Sequence, residues 1–171
     1  MPVAHRSGLA ALLLAIQALV VPIAGSAPVQ GDTPPPYVGV TLDGDPVLLT
    51  DHPGKALVVS FWATWCAYCL QELPILNNIQ TAAGKDKVQV IAVNTESREV
   101  FRRVSRALRT LDLQLAYDPD KKGQGAYGVH GIPHMVIIGR DGKVVSIYRG
   151  YDEKSLDSIV VSINRAIGAT P

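Results

Sequence analysis

A chain of 171 residues that is 47% hydrophobic can bury one core of ordinary domain size without disulfide staples. Its formal net charge of +1 gives no support for a nucleic-acid or acidic-polymer partner, and none is expected. Cys66 and Cys69 are the only two cysteines, which excludes a multi-disulfide scaffold and a structural zinc site built on two cysteine pairs.

In chain order, His5 and Arg6 make a short polar start, Leu9 to Ile23 is almost unbroken apolar sequence, and Ala24-Gly25-Ser26-Ala27 is small. This is the order of a secretory signal. Pro28 disfavours cleavage directly after Ala27, leaving Ala24 or Ser26 as the last residue removed. The stretch is also about twenty residues long, enough to span a bilayer. Residues 1–27 therefore read as a cleaved signal peptide or a retained N-terminal anchor, with Gln17 and Pro22 weighing against the anchor. Both readings place the remainder outside the cytoplasm, in the periplasm or an equivalent space. No cysteine lies nearby to carry a lipid.

Residues 28–36, with Gly31 and the run Pro34-Pro35-Pro36, read as a stiff extended linker, and 37–171 as the folded domain. Two β-prone runs around Asp43-Gly44-Asp45 predict an N-terminal hairpin. Ala56 to Trp62, apolar and β-branched in its middle, predicts a strand buried on both faces. From Cys66 the spacing of Leu70, Leu73, Leu76 and Ile79 is helical, with Pro74 expected to kink the helix. Val88 to Val93 predicts a strand and Arg98 to Leu111 an amphipathic helix, whose Arg98, Arg102, Arg103, Arg106 and Arg109 read as a solvated face. A short strand follows at Leu113 to Tyr117, then a short helix at Lys122 to Tyr127. A hairpin turns at Asp141-Gly142, and the last helix, starting near Ser155, carries Leu156, Ile159, Val160 and Ile163 inward. Alternating strands and helices make this an α/β domain.

The chemistry lies at Trp65-Cys66-Ala67-Tyr68-Cys69, directly after the predicted central strand. A helix N-terminus stabilises a thiolate, and a second thiol three residues on is placed to resolve a mixed disulfide. Haem attachment would need a histidine after the second cysteine, where Leu70 stands. A redox role for the pair is the expectation. Further on, Gly128-Val129-His130-Gly131-Ile132-Pro133-His134 precedes a predicted strand. Its proline reads either as an ordinary strand-start residue or as a cis-proline that exposes the preceding backbone to an extended partner.

The segment Val59-Ser60-Phe61-Trp62-Ala63-Thr64-Trp65-Cys66-x-x-Cys69-x-x-Glu72-x-Pro74 resembles the active-site signature of thioredoxin-like proteins, in particular the extracytoplasmic TlpA/ResA type of thiol-disulfide oxidoreductase. Leu42-Asp43-Gly44, Gly54-Lys55, Tyr127-Gly128-Val129 before Gly131-Ile132-Pro133, and Asp141-Gly142-Lys143 with Gly150 fit the same pattern. The resemblance spans roughly Tyr37 to Ile167. It implies a thioredoxin fold, a central mixed sheet flanked by helices, with an N-terminal β-hairpin and a helix–strand insertion at about Arg98 to Tyr117. It implies Cys66 as exposed nucleophile, Cys69 as buried resolving thiol, and Pro133 as a cis-proline facing them. Glu72 matches an acidic residue near the active site, able to take the proton of the resolving thiol if burial raises its pKa; the competing reading is a glutamate favoured by the helix dipole. Trp65, Ala67, Tyr68, Ile132 and His134 are the expected active-site neighbours.

Three departures stand out. Thioredoxin's buried aspartate is replaced by Ser60, the dipeptide between the cysteines is Ala67-Tyr68, and His134 stands where threonine is common. His134 reads first as a solvated residue; nearer the pair it could act as a cation that lowers the thiolate pKa, or as a copper(I) or zinc ligand with Cys66 and Cys69. His130 and Met135 could join such a site, although Met135 reads better as core. The resulting expectation is a reductant of extracytoplasmic protein disulfides, of the cytochrome c maturation or copper-site assembly type. It needs no cofactor beyond the cysteine pair, and a membrane thiol-relay donor recharges it. A periplasmic metallochaperone is the alternative and a thiol peroxidase the third reading, although the latter's threonine-containing pocket before the cysteine is missing.

Overall fold

The computed structural model describes Met1, residues 26–151 and residues 153–168. The signal or anchor predicted over 1–27 thus lies almost wholly outside the described residues. Among these, no helix is long and apolar enough to cross a membrane.

The elements are β1 (Tyr37–Val40), β2 (Pro46–Leu48), β3 (Ala56–Trp62), α1 (Ala67–Ala83), β4 (Val88–Asn94), α2 (Arg98–Ala107), β5 (Gln114–Tyr117), α3 (Lys122–Ala126), β6 (His134–Ile138), β7 (Val144–Arg149) and α4 (Leu156–Gly168). They build one mixed sheet in the order β2-β1-β5-β4-β3-β6-β7. β3, β4 and β5 run parallel, while β6, β7 and the β1–β2 hairpin pair antiparallel. Every residue of β3 and β4 is buried, as their unbroken apolar runs require of strands covered on both faces. The expected helix–strand insertion is present as α2, a 3₁₀ turn at Leu108–Thr110, and β5. The amphipathic pattern read through to Leu111 therefore tightens in its last turn.

Alternation along β3 divides the core. Leu57, Val59 and Phe61 pack on one face with Ile91, Val93, Val136 and Tyr127. Val58 packs on the other with Leu76 of α1, Val90, Met135, and Ile159 and Ile163 of α4. Where β3 ends, Trp62, Leu73 and Ala92 form a third cluster together with both cysteines. Pro74 lies inside α1 on its exposed side and does not end the helix.

The proline-rich stretch 28–36 is not the unpacked linker that its composition suggests. Pro28 and Pro34 are buried. The Gly31 amide donates to Val144 O at 2.8 Å and the Val144 amide to Asp32 O at 2.9 Å. The Tyr127 hydroxyl donates to Pro35 O at 2.6 Å, and the Leu49 amide to Pro36 O at 2.8 Å. Proline lacks a donor but keeps its carbonyl, and β7 is an edge strand with backbone groups to satisfy. The folded unit therefore begins near Pro28 rather than at Tyr37.

Candidate active site

The chain leaves β3 at Trp62 and turns through Ala63-Thr64-Trp65 into α1. Thr64 is held on both its polar groups by one carboxylate: its amide donates to Glu96 Oε2 at 2.6 Å and its hydroxyl to Glu96 Oε1 at 2.9 Å. Glu96 is fixed in turn by Asn94, at 3.2 Å from the side-chain amide and 2.9 Å from the Glu96 amide to Asn94 Oδ1. Cys66 is the N-cap of α1, and its Sγ accepts from the Cys69 amide at 3.2 Å. No acidic residue occupies the first turn to oppose the pull of the helix N-terminus on a Cys66 thiolate.

Cys66 and Cys69 form a disulfide with Cα atoms 5.2 Å apart. Cys66 keeps 7% exposure and Cys69 none. Exposed Trp65, Ala67 and Tyr68 flank the pair and present aromatic surface to solvent.

Glu72 lies one helical turn beyond Cys69, with both side chains turned inward. It is buried and accepts a hydrogen bond from the Ser60 hydroxyl at 2.6 Å. Burial pushes its carboxyl up to about 7, against the lesser, opposing effect of the Ser60 bond. The serine at thioredoxin's aspartate position and this glutamate thus share one buried site, reached from strand and helix respectively. The competing reading, a first-turn glutamate favoured by the helix dipole, does not fit, because Glu72 lies beyond the first turn of α1 and is buried.

The opposite wall is the loop from Gly128 to Pro133. It is anchored by α3, whose Gly123 and Gln124 amides donate to the buried Asp118 carboxylate at 3.2 and 2.8 Å. The Ile132–Pro133 peptide is cis, and Pro133 is buried. Ile132 packs against the cluster that holds both cysteines.

His134 corrects the sequence reading. It is not solvated: it keeps 1% exposure, and its ring stands edge-on to Phe61 with centroids 6.2 Å apart. Strand alternation explains this, because Met135 faces α1 and His134 therefore faces the other layer, paired with Phe61 in the β3–β6 register. Burial first, then the neighbouring Arg149 and His130 charges, press its pKa down to about 4. A neutral ring behind the strand neither supplies a cation to the thiolate nor joins the cysteines as a ligand. Among the described residues, no group of three or more His, Cys, Asp or Glu side chains is placed to hold a metal. Met135 is core, at 1% exposure. The Thr64–Glu96 and Asp118 contacts escaped the sequence reading, since their partners come together only through the fold.

The Redoxin family model matches residues 29–162. The thioredoxin-like protein YneN of Bacillus subtilis is 37% identical over 123 residues, 71% of this chain and 72% of that protein. The thiol-disulfide oxidoreductase ResA of Bacillus anthracis is 31% identical over 124 residues, 72% of each. Among solved structures, the pneumococcal exposed lipoprotein thioredoxin Etrx1 of Streptococcus pneumoniae superposes with a TM-score of 0.59 at 30% identity, covering 74% of this chain and 96% of that one. A candidate thiol:disulfide interchange protein DsbE of Chlorobium tepidum gives 0.71 at 28% identity, covering 83% and 100%. Matches that extend over most of the folded unit place the chain in the Redoxin family, as a thioredoxin-fold thiol-disulfide oxidoreductase of the TlpA/ResA type.

Proposed function

We propose that the protein reduces disulfides of extracytoplasmic client proteins, with the Cys66–Cys69 pair as its whole redox equipment. The observation that carries this is the asymmetry of the pair: Cys66, buried rather than openly exposed as expected, keeps 7% exposure at a helix N-terminus, while Cys69 is wholly enclosed above a carboxyl pushed up to about 7. In the reduced enzyme, Cys66 thiolate attacks one client sulfur, forms a mixed disulfide and expels the other client sulfur as a thiolate. Glu72 takes the proton of Cys69, whose thiolate attacks Cys66 Sγ and releases the second client thiolate. Two electrons have passed to the client, and the enzyme is left as the disulfide seen here.

Ile132 and Pro133 offer the wall along which a client strand lies, with Trp65 and Tyr68 as apolar contacts. A membrane-bound dithiol donor of the thiol-relay type returns the two electrons. The apolar stretch Leu9 to Ile23 supports export to the periplasm or an equivalent space, by a cleaved signal or a retained tether. Apocytochrome c cysteines and copper-site proteins are the client classes that the resemblance favours.

The test is the reduction potential of Cys66–Cys69 in thiol buffers, read through Trp62 and Trp65 fluorescence. A value near thioredoxin's, about −270 mV, is expected; a value near that of the oxidant DsbA, about −120 mV, would overturn the direction.

A further inference from the structure

Behind the Gly128–Pro133 loop lies a cavity of about 190 Å³ whose walls include His130, Ile132, His134 and Arg149. At about 30 Å³ per water it has room for several waters or one short polar side chain. Its polar lining is of one kind. Arg149 stands opposite His134 in the β6–β7 register, and none of the ion pairs among the described residues involves it. His130 is exposed at the rim, and among the described residues no carboxylate lines the cavity. Most telling, His134 Nε2 is buried with no hydrogen-bond partner among the described residues. A buried polar atom without a partner is costly and marks a place where a polar group is wanted. Gly131 and Gly150 also line the cavity and leave it open, since a Cβ at either would meet nothing within 4 Å.

We propose that this cavity is a client subsite for a carboxylate, holding the Asp or Glu side chain that flanks the client's cysteine between Arg149 and His134. A carboxylate is an acceptor-only group that matches a guanidinium fork and an imidazole N–H together. Ile132 belongs to the cavity wall and also packs on the cluster that holds both cysteines, so a single side chain links the subsite to that cluster. Burial first, and then its positive neighbours, hold His134 neutral, and an anion there would offset the second effect. The inference rests on the reading of the protein as a protein-disulfide reductase and adds a preference for acidic client segments.

The test uses two synthetic peptides, each closed by one disulfide and differing only by Glu or Gln beside the first cysteine. Their reduction by the reduced protein is followed by tryptophan fluorescence. The wild type is expected to reduce the Glu peptide roughly tenfold faster, about the effect of one charge-assisted contact. The Glu/Gln ratio should fall to near one in Arg149→Ala and in His134→Thr, and be partly kept in Arg149→Lys. It should also shrink as salt is raised, because Arg149 is exposed and its charge is screened. A ratio near one in the wild type, or an unaltered ratio in both variants, would overturn the subsite. So would acetate perturbing the His134 ring signals by NMR while both peptides react alike, which marks a site for free anions only. If neither peptide is reduced, the reductase reading itself fails and takes the subsite with it.

Discussion

Glu72 and His134 are both buried titratable side chains, and they pull stability in opposite directions with pH. The Glu72 carboxyl rises from its ordinary 4.5 to about 7, so the folded state holds this proton more tightly than the unfolded chain. Its contribution is therefore full at acid pH, declines as pH rises between 4.5 and 7, and levels off above. The decline amounts to about 3 kcal/mol by the linkage relation. Glu72→Gln is expected to remove it, seen as a gain in urea-unfolding free energy at pH 8 that shrinks at pH 5. The same variant should slow resolution of the mixed disulfide on the order of 10²-fold and erase the rate step near pH 7, measured by single-turnover quench. His134 falls from 6.5 to about 4, so its contribution is full above pH 6.5 and is lost as pH falls toward 4. His134→Thr should flatten that acid limb, and denaturation curves of the two variants separate the effects. Cys69→Ser should trap the client on Cys66 as a mixed disulfide visible by mass, whereas Cys66→Ser should trap none.

At the scale of elements, the site depends on how the β3–α1 junction and the loop after α3 are tied down. Thr64 spans from the junction to Glu96, and Asp118 holds the first amides of α3. Loss of the Glu96 carboxylate in Glu96→Ala should cost about 3 kcal/mol of stability, since three hydrogen bonds go at about 1 kcal/mol each, together with slower attack by Cys66. Gly39 on β1 is a packing position: a Cβ there would meet Tyr117 O at 2.6 Å. Gly39→Ala should destabilise by about 1–3 kcal/mol as the hairpin is pushed from β5, measurable by thermal unfolding. Element types were legible because Ala56–Trp62 and Val88–Asn94 are long apolar runs and α2 is strongly two-sided. α1 was harder to read. Its inner face carries Cys69, Glu72 and Gln80 beside Leu73 and Leu76, so burial there does not follow hydrophobicity. Gln80 is accommodated because its side chain meets backbone groups of the neighbouring segments, accepting from the Val90 amide at 2.6 Å and donating to Asp112 O.

For the whole molecule, the N-terminal stretch is part of the domain. It pairs with β7 at Val144 and gives the Tyr127 hydroxyl its acceptor, so a chain beginning at Tyr37 loses several backbone and side-chain hydrogen bonds at once. Such a chain should unfold at lower urea by about 3 kcal/mol and expose the β7 edge to association, visible by light scattering. The sequence by itself determined the α/β class, the central strand and the cysteine pair at a helix start. These are local: hydrophobic period, residue spacing and the chemistry of a helix N-terminus are written within a few residues of one another. Only the tertiary structure decided that Ser60 bonds Glu72, that Glu96 clamps Thr64, that the proline stretch packs, and that His134 is buried beside Arg149, on the sheet face opposite α1. Each of these joins residues distant in sequence or depends on which face of a strand looks inward. Sheet order and register set that, and no short window of sequence contains them.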